Sequence, residues 1–506
     1  MKNGLFSKAG SNAAGGSIRR MLTFFLLISL AVSLCACGSG AETQNGINSG
    51  CADDPDSASQ SEPVTVPQNS VSFAPDAQPG GTSKEPITLL LATTGLRPQL
   101  SKAVADFNIS HDNVHIDIKD YSEYNTATDF RAGYDRFLLD IITGSVPDIM
   151  DLSSELPFKE IASAGVLEDL YPYIDADPEL SREDFFPNIL KAFEHDGHLF
   201  LAVSDFMLET VVGSSAVVGT EAGLTYDEYY QCLASMPEGC RGFASYEADK
   251  ETMLSGCAML EMDTLIDWTN GTCHFDSEEF IGLLKFADSI QSSGSGDLSG
   301  DAFTALAQGM QMLSVSMISS LSYMPVDYDH VFGGEATFVG YPTSSGIGHK
   351  IYLMNGAISM SSVCRDKASA WEFIRTFLSE QYQNSTTFIP TNRNAFENKI
   401  AEAVKVKYKT DENGQYVLDS EDEKIPVAIA SYFDGYKMVD IYSLTERQAD
   451  LIRKAVGEAE KLCCYESTID NIILEGARPY FAGQKTAEEA AAVIQSKAAI
   501  YVSEQG

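Results

Sequence analysis

Between residues 87 and 152 the chain switches repeatedly between two hydrophobic periods, and that switching leaves few folds open. Residues 87–91 (ITLLL) form a short apolar run closed by Ala92-Thr93-Thr94-Gly95, the pattern of a buried strand and a turn. Residues 96–107 (LRPQLSKAVADF) carry apolar side chains at 100, 103, 104 and 107, the helical spacing. Residues 114–118 (VHIDI) alternate like a strand, 137–142 are helical, and 148–152 (DIMDL), after Pro147, form another short strand. Strand, helix, strand, helix, strand implies a parallel sheet with helices on its faces, an α/β fold. Ligands of such sheets sit beyond the carboxyl ends of the strands. That points to Thr93 and Thr94, to Asp120 and Tyr121, and to Ser153 and Ser154.

What precedes this region is not part of it. Lys2, Lys8, Arg19 and Arg20 lead into the apolar run 21–34 (MLTFFLLISLAVSL), which is shorter than the about 20 residues of a membrane span. Basic residues followed by a short apolar run read as an export signal. The run ends in Leu34-Cys35-Ala36-Cys37, which resembles a bacterial lipobox. In such signals the cysteine after the small residue receives a diacylglyceryl group and becomes the first mature residue, here Cys37. Residues 1–36 are then a lipoprotein signal peptide. Residues 37–84, rich in Gly, Ser, Ala, Pro, Asp and Gln, are a flexible tether. Acyl chains hold a domain at a membrane at about 0.8 kcal/mol per buried CH₂. The expected location is the outer face of a bacterial cytoplasmic membrane.

The 506 residues carry a formal net charge of −38, which repels phosphates and argues against nucleic acid as a partner. The remaining cysteines, Cys51, Cys232, Cys240, Cys257, Cys273, Cys364, Cys463 and Cys464, show no zinc spacing; Cys232 and Cys240 are the nearest pair for a disulfide, and most fit as free, buried thiols. Residues 194–198 (EHDGH) read as a hairpin turning on Asp-Gly rather than a metal site. Residues 175–179 (DADPE) lack the glycine and glutamate of a calcium loop, and Ser181 with Asp184 reads as a helix cap. No metal or cofactor is expected. Trp371 sits in an amphipathic run and reads as core, and Trp268 as surface packing. Residues 340–348 (GYPTSSGIG) are dense in turn formers.

Several segments, in order, resemble extracellular solute-binding lipoproteins of bacterial ABC importers, the group that includes maltose-binding and other sugar-binding proteins. They are KAVADFNISHDNVHIDIKDY, GSVPDIMDLS, ASAGVLEDLYPYID, DFFPNILKAFEHDGHLFLAVS, AWEFIRTFLSEQYQ and PYFAGQKTAEEAAAVIQSKAAIYVSE, spread over 85–503. The resemblance implies a two-lobed, periplasmic-binding-protein-like fold with a hinge and a central ligand cleft. Crossings are expected near Val203-Ser204-Asp205, Gly340-Tyr341-Pro342 and Ile389-Pro390-Thr391. Lobe 1 then holds 85–203 with 343–388, and lobe 2 holds 204–342 with 389–506. The implied function is capture of a small polar solute, a sugar first among them, for delivery to ABC permease subunits by a monomer that performs no chemistry. Sugars need aromatic faces and planar polar groups. Tyr121, Tyr323 and Tyr341 are the candidates for the former. Asp205 at the first crossing, and Ser319 and Ser320 at the end of the run 310–320 (MQMLSVSMISS), complete the expected site. Two further readings fit the same residues: a surface lipoprotein enzyme acting on glycans, and a ligand sensor for a membrane kinase. An acidic cleft favours a cationic solute, such as a polyamine, over a neutral one.

Overall fold

The computed structural model describes residues 86–152, 158–243, 249–268, 270–290, 302–321, 329–346, 348–433, 438–463 and 467–505. The expected signal peptide, Cys37, the tether, Ser153, Ser154 and Tyr323 lie outside the described residues.

Along the chain run β1 (Ile87–Thr93), α1 (Pro98–Ser110), β2 (Val114–Asp120), α2 (Ala132–Ile142), β3 (Ile149–Leu152), α3 (Phe158–Ser163), α4 (Pro187–Ala192) and β4 (Asp205–Ser214). Then come α5 (Tyr226–Ser235), α6 (Lys250–Leu265), α7 (Glu278–Ser289), β5 (Leu313–Ile318), β6 (Ala336–Phe338), β7 (Lys350–Leu353) and β8 (Ala357–Met360). The rest holds α8 (Lys367–Leu378), α9 (Glu380–Asn384), β9 (Ile389–Pro390), α10 (Arg393–Ala403), α11 (Glu446–Glu458), β10 (Lys461–Leu462), α12 (Ser467–Phe481) and α13 (Ala487–Gln505). Helix starts follow their capping chemistry. Pro98 opens α1, and Thr225 with Glu228 and Thr445 with Gln448 form capping boxes at α5 and α11.

The first sheet has the order β8-β3-β1-β2, with β1 parallel to both β2 and β3 and β8 antiparallel at the edge. This is the parallel sheet expected from the alternating periods. The second sheet is built around β4, whose ten residues are paired along both edges. β9 and β5 follow one another along one edge, and β7 and β6 along the other. Alternate side chains of β4 serve different cores. Phe206, Leu208 and Val212 join a cluster with the first sheet and α11, whereas Val211 joins a second cluster with α6, α7, α12 and α13.

The chain leaves the first sheet at Ala202, which exchanges both backbone hydrogen bonds with Ile358, and enters the second at Asp205. The return was expected at 340–342 and falls at 354–356 instead: β7 is still in the second sheet and β8 is already in the first. Residues 340–348 are a loop folded back on itself, Tyr341 N–H donating to Gly348 O (2.9 Å). Gly340 has φ +84° and packs so tightly on Gly348 that a Cβ would lie 2.9 Å from its carbonyl carbon. Turn residues there reverse the chain and do not cross it over. At the third expected position, Thr391 donates N–H to Ser204 O (3.3 Å) and Oγ1–H to Val203 O (2.7 Å), so it lies against the first crossing. Beyond it, Phe396, Ile400 and the α11 side chains pack in the first cluster, and only the segment from Ile469 onward joins the second.

Smaller expectations can be read off directly. Glu194–His195 and His198–Leu199 pair as a hairpin across Asp196 (φ 51°) and Gly197 (φ 80°). Ser181 and Asp184 form the capping box. Trp371 is buried, its indole N–H donating to Asp177 (3.0 Å). Among the described residues six cysteines, Cys232 and Cys240 included, are free thiols. One feature was not anticipated: residues 407–427 close into a triangle of three short segments. Lys409 N–H donates to Ile425 O, Val417 N–H to Lys409 O, and Ile425 N–H to Val417 O (2.8, 2.9 and 3.1 Å). The participants are eight residues apart, and at the preceding position of each segment stand Tyr408, Tyr416 and Lys424. The Lys424 ammonium lies 3.9 Å from the Tyr416 ring centroid and 5.5 Å from that of Tyr408.

Candidate ligand-binding cleft

Parallel register lines up the carboxyl edge of the first sheet. Thr93 stands beside Asp120 on one side and Asp151 on the other. Thr93 Oγ1 donates to Asp151 Oδ2 (2.8 Å), and Arg97, the residue before α1, donates Nη2–H to Asp151 Oδ1 (2.9 Å). Burial pushes the Asp151 carboxyl up, the nearby Asp120 charge adds to the rise, and Arg97 and Thr93 only partly offset it. Asp120 holds the loop after β1, its carboxylate accepting from Leu96 N (3.3 Å) and Ser122 N (2.9 Å). Thr94 is half-buried in that loop.

The two crossings meet this edge. Gly356, φ +71°, lies so close that a Cβ would fall 2.5 Å from Asp151 Oδ1 and 3.1 Å from both Arg97 Nη atoms. Only glycine combines that conformation with that approach. Next to it Asn355 Nδ2 donates to both carboxylate oxygens of Asp205 (2.9 and 2.7 Å), tying the second crossing to the first. Asp205 is fully buried, and burial raises its carboxyl against the pull of Asn355 and the charge of Lys399. Burial lowers the Lys399 ammonium, with Asp205 opposing; Lys399 donates to Thr386 Oγ1 and Phe388 O (both 3.3 Å), just before β9. Asp205 thus stands where the two crossings meet β9. Arg97, Leu100, Ser204, Asn355, Phe377 and Tyr382 line a small pocket at the same place. It brings a guanidinium, an amide and a hydroxyl beside two aromatic rings, with room as it stands for about one water molecule.

The structure therefore gathers Thr93, Thr94, Asp120 and Asp205. Ser319 and Ser320 are half-buried just past β5, whose last residue Ile318 pairs with Leu208 near the start of β4. Two expected aromatic platforms are corrected. Tyr121 is buried, its hydroxyl donating to Asp140 (2.7 Å) and its ring lying under the Lys119 ammonium (4.3 Å), which Asp140 also binds. Tyr341 is buried on the α6 side of the second sheet, donating to Glu209 (2.7 Å) beneath the Lys350 ammonium (3.8 Å). Both rings serve buried charge and have no face left for a ligand. Arg97, Asp151, Asn355, Gly356 and Tyr382 were not anticipated. The only local signals were Arg-Pro at a helix start and the Asn-Gly dipeptide between two apolar runs.

No protein-family model and no curated protein sequence matches the chain. Solved structures do. A family 1 extracellular solute-binding protein from Alicyclobacillus acidocaldarius aligns with a TM-score of 0.50 at 14% identity, over 83% of this chain and 100% of its own. The sugar-binding protein MalE from Xanthomonas citri aligns with a TM-score of 0.51 at 13% identity, over 82% and 98%. A de novo designed cysteine esterase aligns equally well, with a TM-score of 0.51 at 13% identity, over 83% and 99%. The chain has the two-lobed α/β fold of these proteins. Among the described residues no helix is long and apolar enough to cross a membrane.

Proposed function

We propose that this chain is an extracellular solute-binding protein that closes two lobes around a polar solute, a carbohydrate first among the candidates, and hands it to an ABC permease. Lobe 1 comprises the first sheet, residues 86–203 with 357–388, and lobe 2 is centred on β4. Cys37 anchors the chain by its lipid to the outer face of the membrane. The observation that carries the reading is the meeting of residues 203–205, 355–356 and β9 at Asp205, directly beside the Thr93–Asp151–Arg97 edge of a parallel sheet. A hinge and a polar site in one place suit capture by domain closure. The shared fold is compatible with it, and so is the sugar specificity in the name of the Xanthomonas relative. The designed esterase of the same fold keeps an enzyme formally in play. Against turnover, Asp151 and Asp205 are both committed to internal partners and do not stand as a free carboxylate pair.

The test is a thermal-shift screen of the full chain against mono- and oligosaccharides, peptides and polyamines. A solute at 100 times its Kd adds about 2.7 kcal/mol of stability. Wild type is expected to shift with one class, and Arg97→Ala, equally folded, to lose that shift. Absence of any shift in folded wild type, or release of product from a glycan, would overturn the proposal.

A further inference from the structure

One carboxylate ties elements of the two cores together outside the hinge. Asp263, near the end of α6, receives Lys159 Nζ of α3 at 2.6 Å and Lys461 Nζ of β10 at 3.5 Å. Lys159 lies within the first-lobe segment 86–203, and Asp263 and Lys461 lie outside it. Phe158, Ile161 and Ala162 of α3 are buried in the first cluster. Met253, Leu254, Cys257, Ala258 and Leu260 of α6 are buried in the second, and Lys461 lies on a strand paired in the second sheet. Lys461 is held by the second sheet, where it pairs with Lys350, and Lys159 reaches Asp263 from α3. Lys159 and Lys461 are each about three-quarters buried while Asp263 is half-exposed, so solvent and salt reach the contact. Burial pushes the Asp263 carboxyl up, but the two ammonium groups prevail and hold it below the usual range, so it stays charged at neutral pH.

We propose that Lys159 and Asp263 form an electrostatic latch that holds the two lobes in the arrangement seen here without any solute, with Lys461 fixing Asp263 in place to receive it. The latch rests on the two-lobe reading but needs no knowledge of the solute. Closure then begins from this arrangement, and the solute has less reorganisation to drive.

Small-angle scattering of the full chain without solute tests this. The variants are Lys159→Met, Lys159→Arg and Asp263→Asn, each at about 0.01 M and about 1 M salt, where charges are screened beyond about 30 Å and about 3 Å. An exposed pair of this kind moves an open-to-closed ratio by about two- to fivefold. At low salt, Lys159→Met and Asp263→Asn are expected to show a larger radius of gyration than wild type, and Lys159→Arg to match wild type. At high salt wild type is expected to join the two neutralised variants. Superimposable low-salt profiles for wild type, Lys159→Met and Asp263→Asn, all folded by circular dichroism, would overturn the latch. A failed solute screen leaves this measurement intact, so the two proposals fail separately.

Discussion

Acid should unfold this protein partly through one histidine. His349, the residue before β7, is buried, and its Nδ1 shares a hydrogen bond with Thr210 Oγ1 (2.7 Å). Its Nε2 is buried with no hydrogen-bond partner among the described residues. A proton there would place a charge in an apolar setting with nothing to receive it, and burial pulls the imidazole down from 6.5 to about 4. The unfolded chain accepts the proton first. Between those two values it binds more protons than the folded chain, so stability falls as pH falls. The contribution is complete above about pH 7 and is lost progressively towards pH 4. At 1.36 kcal/mol per pH unit, that interval is worth about 3 kcal/mol. His349→Gln keeps an acceptor for Thr210 and cannot titrate. Urea unfolding of both proteins at pH 7, 6, 5 and 4.5 isolates the effect, because the many carboxylates titrate alike in each. Wild type should lose ground against the variant as pH falls, by about 2 kcal/mol or more at pH 4.5. A difference that stays constant to within about 0.5 kcal/mol over this range would refute the argument.

Two further outcomes follow from buried contacts. Burial works against both charges of the Glu209–Lys350 pair (2.9 Å), yet Lys350 holds the Glu209 carboxyl below the usual range. Glu209→Ala strands the ammonium and should cost about 3–5 kcal/mol in denaturant unfolding, while Glu209→Leu with Lys350→Met should recover most of it. Gly356→Ala puts a methyl 2.5 Å from Asp151 Oδ1 at φ +71° and should lower the melting temperature and weaken whatever solute response wild type gives. Unchanged melting and binding in that variant would mean that the second crossing does not press on the site.

The first sheet was legible because its signals are local. The strands are short apolar runs, the helices between them repeat at helical spacing, and handedness and parallel pairing follow from that order. Hence Thr93 and Asp120 could be placed at strand ends from position alone, whereas Asp205 came from the crossing that the family resemblance implied. The second sheet was less legible. β4 takes partners from residues 313–318, 336–338, 350–353 and 389–390, and pairing over such separations leaves no periodic mark near any one of them. The second crossing was misplaced for the same reason. Turn chemistry at 340–348 is strong and local, but whether a turn reverses a chain or carries it to another sheet depends on which strand receives the next residues. The eight-residue spacing of Tyr408, Tyr416 and Lys424 was present in the chain and gained meaning only when the three segments closed on one another.

By itself the sequence determined the α/β class, the parallel order of β1, β2 and β3, the hairpin at Asp196-Gly197 and the caps, since each depends on dihedral preference or hydrophobic period over a few residues. The tertiary structure decided which polar groups face one another. Tyr121 and Tyr341 stand where a ligand platform was expected, but packing turned both inward onto buried carboxylates. Arg97, Asp151, Asn355 and Gly356, scattered over 260 positions, became neighbours only because two crossings bring the chain back to the same edge. Side-chain direction and long-range register are set by the free energy of burying the whole core, and no short window of residues contains that information.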